Sequence, residues 1–184
     1  MIVYVGSFSG SYMTKEMLDF FSAAREYDAA TFFLILTQRD KKKVEETLRR
    51  RGFADADFAV RSVLPSEVHR HVSAADIALS FIKAGYSKQA TSPTKIAEYL
   101  ACGLPVIANP GVGDLDELLS GNRVGVLIDD FSPEAYRKAL KDAAALGEVR
   151  DKCRMIAEGE FDLEKIGGER YRRLYKKILE GDSR

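Results

Sequence analysis

At 184 residues the chain has the length of one domain, with two small ones as the upper limit. Hydrophobic residues make up 46%, enough for a full core. Lysine plus arginine equals aspartate plus glutamate at 28 each, so the net charge is zero and the basic excess of a nucleic-acid binder is missing.

In chain order, short apolar runs occur at Ile2–Val5, Thr31–Leu36, Phe58–Val60, Ile77–Phe81, Pro105–Ala108 and Val124–Ile128. They are continuous rather than alternating, as expected of strands covered on both faces. Between the first two, Thr14 to Tyr27 places Met17, Leu18, Phe20, Phe21 and Ala24 at helical spacing, and Asp40 to Arg51 repeats the pattern with Val44 and Leu48. The runs Lys41-Lys42-Lys43 and Arg49-Arg50-Arg51 lie beside acids there and read as a solvated face. The tail is helical throughout. Ser132 caps a helix with Pro133 in its first turn, and the stretch from Ile166 to Leu179 aligns Tyr171, Leu174, Tyr175 and Ile178 in a stripe that must pack on this domain or on a partner. Strands alternating with helices predict a single α/β domain over residues 1–184: a Rossmann-like parallel sheet of about six strands with helices on both faces.

Cys102 and Cys153 lack metal-ligand spacing and read as thiols of a reducing compartment. No apolar run approaches the ~20 residues of a membrane span, and Ile2-Val3-Tyr4-Val5 is too short, and lacks the basic flank, for a signal peptide. The expected location is cytoplasmic. His69 and His71 are two apart, so on a helix they would face different ways and make no metal pair.

Open α/β sheets bind ligands at the carboxyl ends of their strands. The first strand ends in Gly6-Ser7-Phe8-Ser9-Gly10-Ser11, where glycines admit a close ligand and free N–H groups bind anions; a plain tight turn explains the loop equally well. It is neither GxGxxG nor GxSxG, and no acid ends the second strand, so a dinucleotide dehydrogenase and an α/β hydrolase are both disfavoured. A second candidate is SPTKIAEYLACGLPVIANPGVGDLDELL, residues 92–119. Ser92 is expected to cap a helix whose first residue is Pro93, and Gly103 to end it in a left-handed conformation. Lys95 stands three residues after Ser92, where a capping box would have Glu or Gln, and a cation there opposes the helix dipole by ~0.3–1 kcal/mol. A bound phosphate would reverse that sign; a solvated lysine paired with Glu98 is the plainer alternative. Glu98 is expected on the face of Thr94 and Lys95, opposite Ile96, Tyr99 and Leu100, and its carboxylate suits the two hydroxyls of a ribose. Arg61, Ser62 and Val63 follow the third strand, where a base could rest, and Lys83 and Lys88 lie in a long segment after the fourth.

These residues resemble the donor-binding half of GT-B glycosyltransferases, especially glycosyltransferase family 4. The likeness rests on the quoted stretch, on VLPSEVHRHVSAADIALS upstream and on the opening VYVGSFSG. It implies a nucleotide-diphospho-sugar as substrate with no other cofactor. Gly6, Ser7, Ser9, Ser92, Thr94 and Lys95 would hold the diphosphate, Glu98 the ribose, and Arg61–Val63 would border the base, with Lys88, Ala90 and Pro93 as accessories. It further implies a retaining, metal-independent transferase acting on a glycan, lipid or other acceptor, whose N-terminal domain or partner subunit is absent here. Any peripheral membrane association would come through that missing half. Three departures stand out. Ala90 replaces the first of two glutamates spaced by seven residues, and Ser7 and Tyr12 replace an arginine and a lysine of the first loop. A nucleotide-sugar 2-epimerase half and a non-catalytic binding subunit remain as rivals.

Overall fold

The structure, a computed structural model, describes residues 1–8, 10 and 12–180. Six strands form one sheet in the order β3-β2-β1-β4-β5-β6, every neighbouring pair parallel. They are β1 (Ile2–Val5), β2 (Phe33–Leu36), β3 (Phe58–Arg61), β4 (Ile77–Ser80), β5 (Val106–Ala108) and β6 (Gly125–Leu127). All six expected runs are therefore strands: β1 has the expected bounds, β3 runs one residue further, to Arg61, and the other four are shorter by one or two residues. The period of two sends alternate side chains to opposite layers. Ile2, Tyr4, Phe33 and Ile35 join the core under α1 (Thr14–Tyr27), α2 (Lys41–Arg50) and α5 (Pro133–Ala144). Val3, Leu34 and Leu36 join the core under α3 (Val68–Val72), α4 (Thr94–Ala101) and α6 (Arg150–Phe161). Both cysteines are free and buried, and burial pushes the Cys153 thiol up to about 11.

Helix α1 has the bounds its periodicity gave, and it buries all five spaced apolar residues. The Ser132 hydroxyl accepts the Ala135 N–H at 3.2 Å, capping α5 ahead of Pro133. Helix α4 ends at Gly103, whose φ is +79°, and the Leu104 N–H turns back to the Tyr99 carbonyl at 2.9 Å. The apolar stripe of α7 (Glu169–Leu179) does not pack on this domain: Tyr171, Leu174, Tyr175 and Ile178 are all exposed. Among the described residues no helix is long and apolar enough to cross a membrane.

Two contacts fix the segment between β4 and α4. Buried Asn109, just past β5, accepts the Ile82 N–H at 2.8 Å and donates to the Ile82 carbonyl at 2.9 Å. The Gly113 N–H donates to the Lys88 carbonyl at 2.9 Å. Gly113 has φ +56°, and a Cβ there would stand 1.9 Å from the Thr91 carbonyl oxygen. A side chain would thus prise apart the two loops that set the start of α4. Gly113→Ala is expected to destabilise the chain by at least about 2 kcal/mol in urea denaturation; a change within about 0.5 kcal/mol would show that the seam yields freely.

Candidate functional site

The strand order reverses between β1 and β4, which opens a crevice beyond their carboxyl ends. Strand β1 runs into Gly6, whose N–H donates to the Leu36 carbonyl at 2.9 Å. The last N–H of the strand, on Val5, donates to the Tyr99 hydroxyl at 2.8 Å, so a side chain of α4 anchors the first loop. The Tyr4 hydroxyl donates to the Ser7 carbonyl at 2.7 Å and holds the loop from the other side.

Lys95 lies at the centre of this arrangement. Its side chain is 8% exposed, and its Nζ has no hydrogen-bond partner among the described residues. The nitrogen lies 3.8 Å from the centroid of the Tyr12 ring and 4.6 Å from that of Tyr4. A Cβ on Gly6 would come within 3.0 Å of Nζ and 2.9 Å of the Tyr4 hydroxyl, at a φ of +145°. Only glycine fits there, because the Lys95 amine and the Tyr4 hydroxyl take up the space of a side chain. Burial pulls the Lys95 pKa down to about 7, with the Glu98 carboxylate acting in the opposite direction. Burial likewise raises the Tyr4 and Tyr99 phenols far above their ordinary values, so both stay neutral.

Beside this cluster is a cleft of about 330 Å³. Gly6 and Ser7 line it together with Thr37, Gln38 and Arg39 after β2, Val63, Pro65 and Val68 after β3, and Glu98 from α4. It has an apolar wall, an exposed carboxylate and a backbone loop backed by an amine. These suit a flat ring, a diol and an anion respectively.

Of the residues singled out from sequence, the structure brings Gly6, Ser7, Val63, Lys95 and Glu98 together. Ser9 lies outside the described residues. Arg61 is exposed at the end of β3, and the Ser62 hydroxyl donates to the Gln38 side chain at 2.8 Å, so neither lines the cleft. Ser92, Pro93, Thr94, Lys88 and Ala90 do not line it either. Lys88 contributes its carbonyl to the loop seam, and Ala90 is exposed.

Two local expectations are corrected. Helix α4 begins at Thr94 with Pro93 in the cap position, φ −69° and ψ 111°, and Ser92 makes no capping bond. A residue before proline is driven out of the helical region, so Ser92 stays outside and exposed. Lys95 does not share the solvent face of Glu98: it is buried with Ile96, Tyr99 and Leu100, and no ion pair joins it to Glu98. The lysine is three residues from Glu98 but four from Tyr99, and the position of β1 decides for the tyrosine side. From sequence Tyr4 and Tyr99 read as core and Tyr12 enters only as a departure from the family pattern, so their place around Lys95 is not visible there; Thr37, Gln38 and Arg39 are missed because the end of β2 carries no motif.

Strand order, reversal and crevice together define a Rossmann-like α/β domain. A sequence model of the family described as glycosyl transferases group 1 matches residues 1–145, and the chain belongs to that family. Solved structures share the fold. One is WaaG, a glycosyltransferase involved in lipopolysaccharide biosynthesis, at 17% identity and TM-score 0.67 over 87% of this chain and 43% of that one. Another is the pneumococcal O-GlcNAc transferase GtfA, determined with UDP and GlcNAc, at 18% and 0.71 over 98% and 36%. A third is AviGT4, a glycosyltransferase involved in avilamycin A biosynthesis, at 21% and 0.68 over 98% and 51%. The chain thus spans between about a third and a half of these proteins. No curated protein sequence matches it.

The lowered lysine pKa has a consequence for stability. Between about pH 7 and the ordinary lysine value the unfolded chain binds a proton that the folded chain does not, so folding stability rises with pH across that window. Below it both states are protonated and the burial cost is constant. The stability of the wild type minus that of Lys95→Met is expected to climb from pH 7 to pH 9, by up to about 1.4 kcal/mol per pH unit. A flat difference would place the ammonium in water.

Proposed function

We propose that this chain is the donor-binding half of a sugar transferase, holding a nucleoside-diphospho-sugar across the cleft. The observation that carries the reading is Lys95, buried behind Gly6 and without a hydrogen-bond partner among the described residues, in a glycosyl transferase group 1 chain. A buried amine without a partner costs stability, and a diphosphate over the Gly6-Ser7 backbone would give it an opposite charge. The diphosphate would lie on that loop and the open start of α4, and Glu98 would accept hydrogen bonds from the ribose hydroxyls. The wall formed by Val63, Pro65 and Val68 would carry the base.

In transfer, an acceptor hydroxyl oxygen bonds to the anomeric carbon. The bond from that carbon to the distal phosphate oxygen breaks, the nucleoside diphosphate leaves with the electron pair, and the hydroxyl proton is released. The contribution of this half is to position the donor and to stabilise the departing phosphates. Retention of configuration and a metal-free diphosphate site, both carried over from the family resemblance, and a cytoplasmic setting, expected from the sequence, complete the reading. The acceptor site belongs to an N-terminal domain or partner subunit, in keeping with the share of the solved transferases that the chain spans. The exposed stripe of α7 is the surface we assign to that second half. A non-catalytic binding subunit is the second reading, favoured by Ala90 standing where the resemblance leads one to expect a glutamate.

Calorimetry with UDP, GDP and ADP tests the proposal, since binding of at least one is expected and binding of none contradicts it. With the ligand that binds, Lys95→Ala should weaken the nucleoside diphosphate tenfold or more and the parent nucleoside less than twofold, on the scale of a charged hydrogen bond. Equal losses would remove the phosphate role. Glu98→Gln should weaken the ribonucleotide more than its 2′,3′-dideoxy analogue, and equal effects would remove the ribose role.

A further inference from the structure

Strand β2 ends at Leu36, and the next residue, Thr37, is buried. The Thr37 hydroxyl donates to the Arg39 carbonyl at 3.2 Å and accepts the Arg39 N–H at 3.4 Å, closing a turn that fixes the backbone of Arg39. Arg39 lines the main cleft together with Gly6, Ser7 and Glu98. It also lines a smaller hollow of about 70 Å³ that shares Ser7 with the cleft and is completed by Thr14, Lys43 and Thr47. That hollow has room for a few waters or one small anion, and not for a sugar ring.

The charges there are not arranged for self-neutralisation. Lys41, Arg49, Arg50 and Arg51 of the same segment pair with Glu45, Asp55, Glu46 and Asp19. Among the described residues, neither Arg39 nor Lys43 has such a partner; Lys42, also unpaired, does not line the hollow. The single carboxylate of the lining belongs to Asp40, held in the left-handed region at φ 53°. Lys95 is sealed from solvent, and positions 7 and 12 carry serine and tyrosine, so Arg39 and Lys43 are the exposed cations beside Ser7.

We propose that Arg39 and Lys43 form a second phosphate-binding locus joined to the main cleft through Ser7, which takes a phosphate group of the donor or of a phosphorylated acceptor. The guanidinium fork suits two phosphate oxygens, and the ammonium adds a point charge. The proposal rests on the reading of the cleft as a nucleotide-sugar site.

The test is calorimetry on the full chain, its Arg39→Gln/Lys43→Gln double variant and Asp40→Asn. The probes are UDP, GDP and ADP, their nucleosides, and glycerol 3-phosphate added with the bound diphosphate present. Asparagine tolerates the left-handed conformation as aspartate does, and the other two side chains are exposed, so melting curves should coincide. If the donor is the source, the double variant loses tenfold or more for the diphosphate and less than twofold for the nucleoside, while Asp40→Asn tightens the diphosphate. If an acceptor is the source, diphosphate affinity holds and glycerol 3-phosphate binding is lost in the double variant. Unchanged affinity for both probes overturns the second locus and leaves the donor cleft standing. Failure of the wild type to bind any nucleoside diphosphate overturns both.

Discussion

An amine without a partner sits at the crest of the sheet, and the surrounding residues are arranged to accommodate it. The Lys95 nitrogen is flanked by two phenol rings, and the negative faces of aromatic rings offset part of the cost of a buried cation. Among the described residues no hydrogen-bond acceptor completes it. The constraint then spreads outward. Gly6 must lack a side chain because the nitrogen and the Tyr4 hydroxyl occupy that space. Tyr99 must reach across to Val5 because that bond sets α4 against β1 at the distance that buries the lysine. The start of α4 must be held from behind by the Gly113 and Asn109 contacts. A scaffold that spends stability on an unpaired group usually does so at a functional position.

The division of charge around the cleft follows the same logic. One cation is hidden behind glycine, where low polarity strengthens its pull on any anion laid over the loop. Arg39, after β2, and Lys43, on α2, stand exposed, open to a phosphate arriving from solvent. Glu98, the carboxylate of the cleft, lies on α4, where a diol rather than an anion would be placed. On the proposed reading, anion, diol and flat ring would have separate stations along one crevice, the pattern a nucleotide needs.

Much of this was legible in the sequence. Central strands buried on both faces must be apolar at nearly every position, and the less buried outer strands β3 and β6 keep short apolar runs, so all six were visible as continuous runs. Helix α1 and the Ser132 cap rest on local rules that tertiary packing did not override. Gly103 was legible because only glycine ends a helix cheaply in the left-handed region. The burial of Lys95 was not. Its neighbours in sequence offer a carboxylate on one side and a tyrosine on the other, and the choice depends on where a strand ninety residues away comes to rest. Ser92 misled for a related reason: serine before a helix reads as a cap, yet the following proline forces it away. The residues after β2 belong to no motif, and only folding brings them beside Ser7.

Protonation tests the central claim most directly. If Lys95 is largely neutral in the free protein and faces a diphosphate in the complex, binding must draw a proton from solution. Calorimetry at pH 8 in buffers of different ionisation enthalpy counts it, since the terminal phosphate, with a pKa of about 6, is already ionised there. The account predicts uptake approaching one proton for the wild type with its nucleoside diphosphate, and none for Lys95→Met. Binding without proton uptake in the wild type would contradict it.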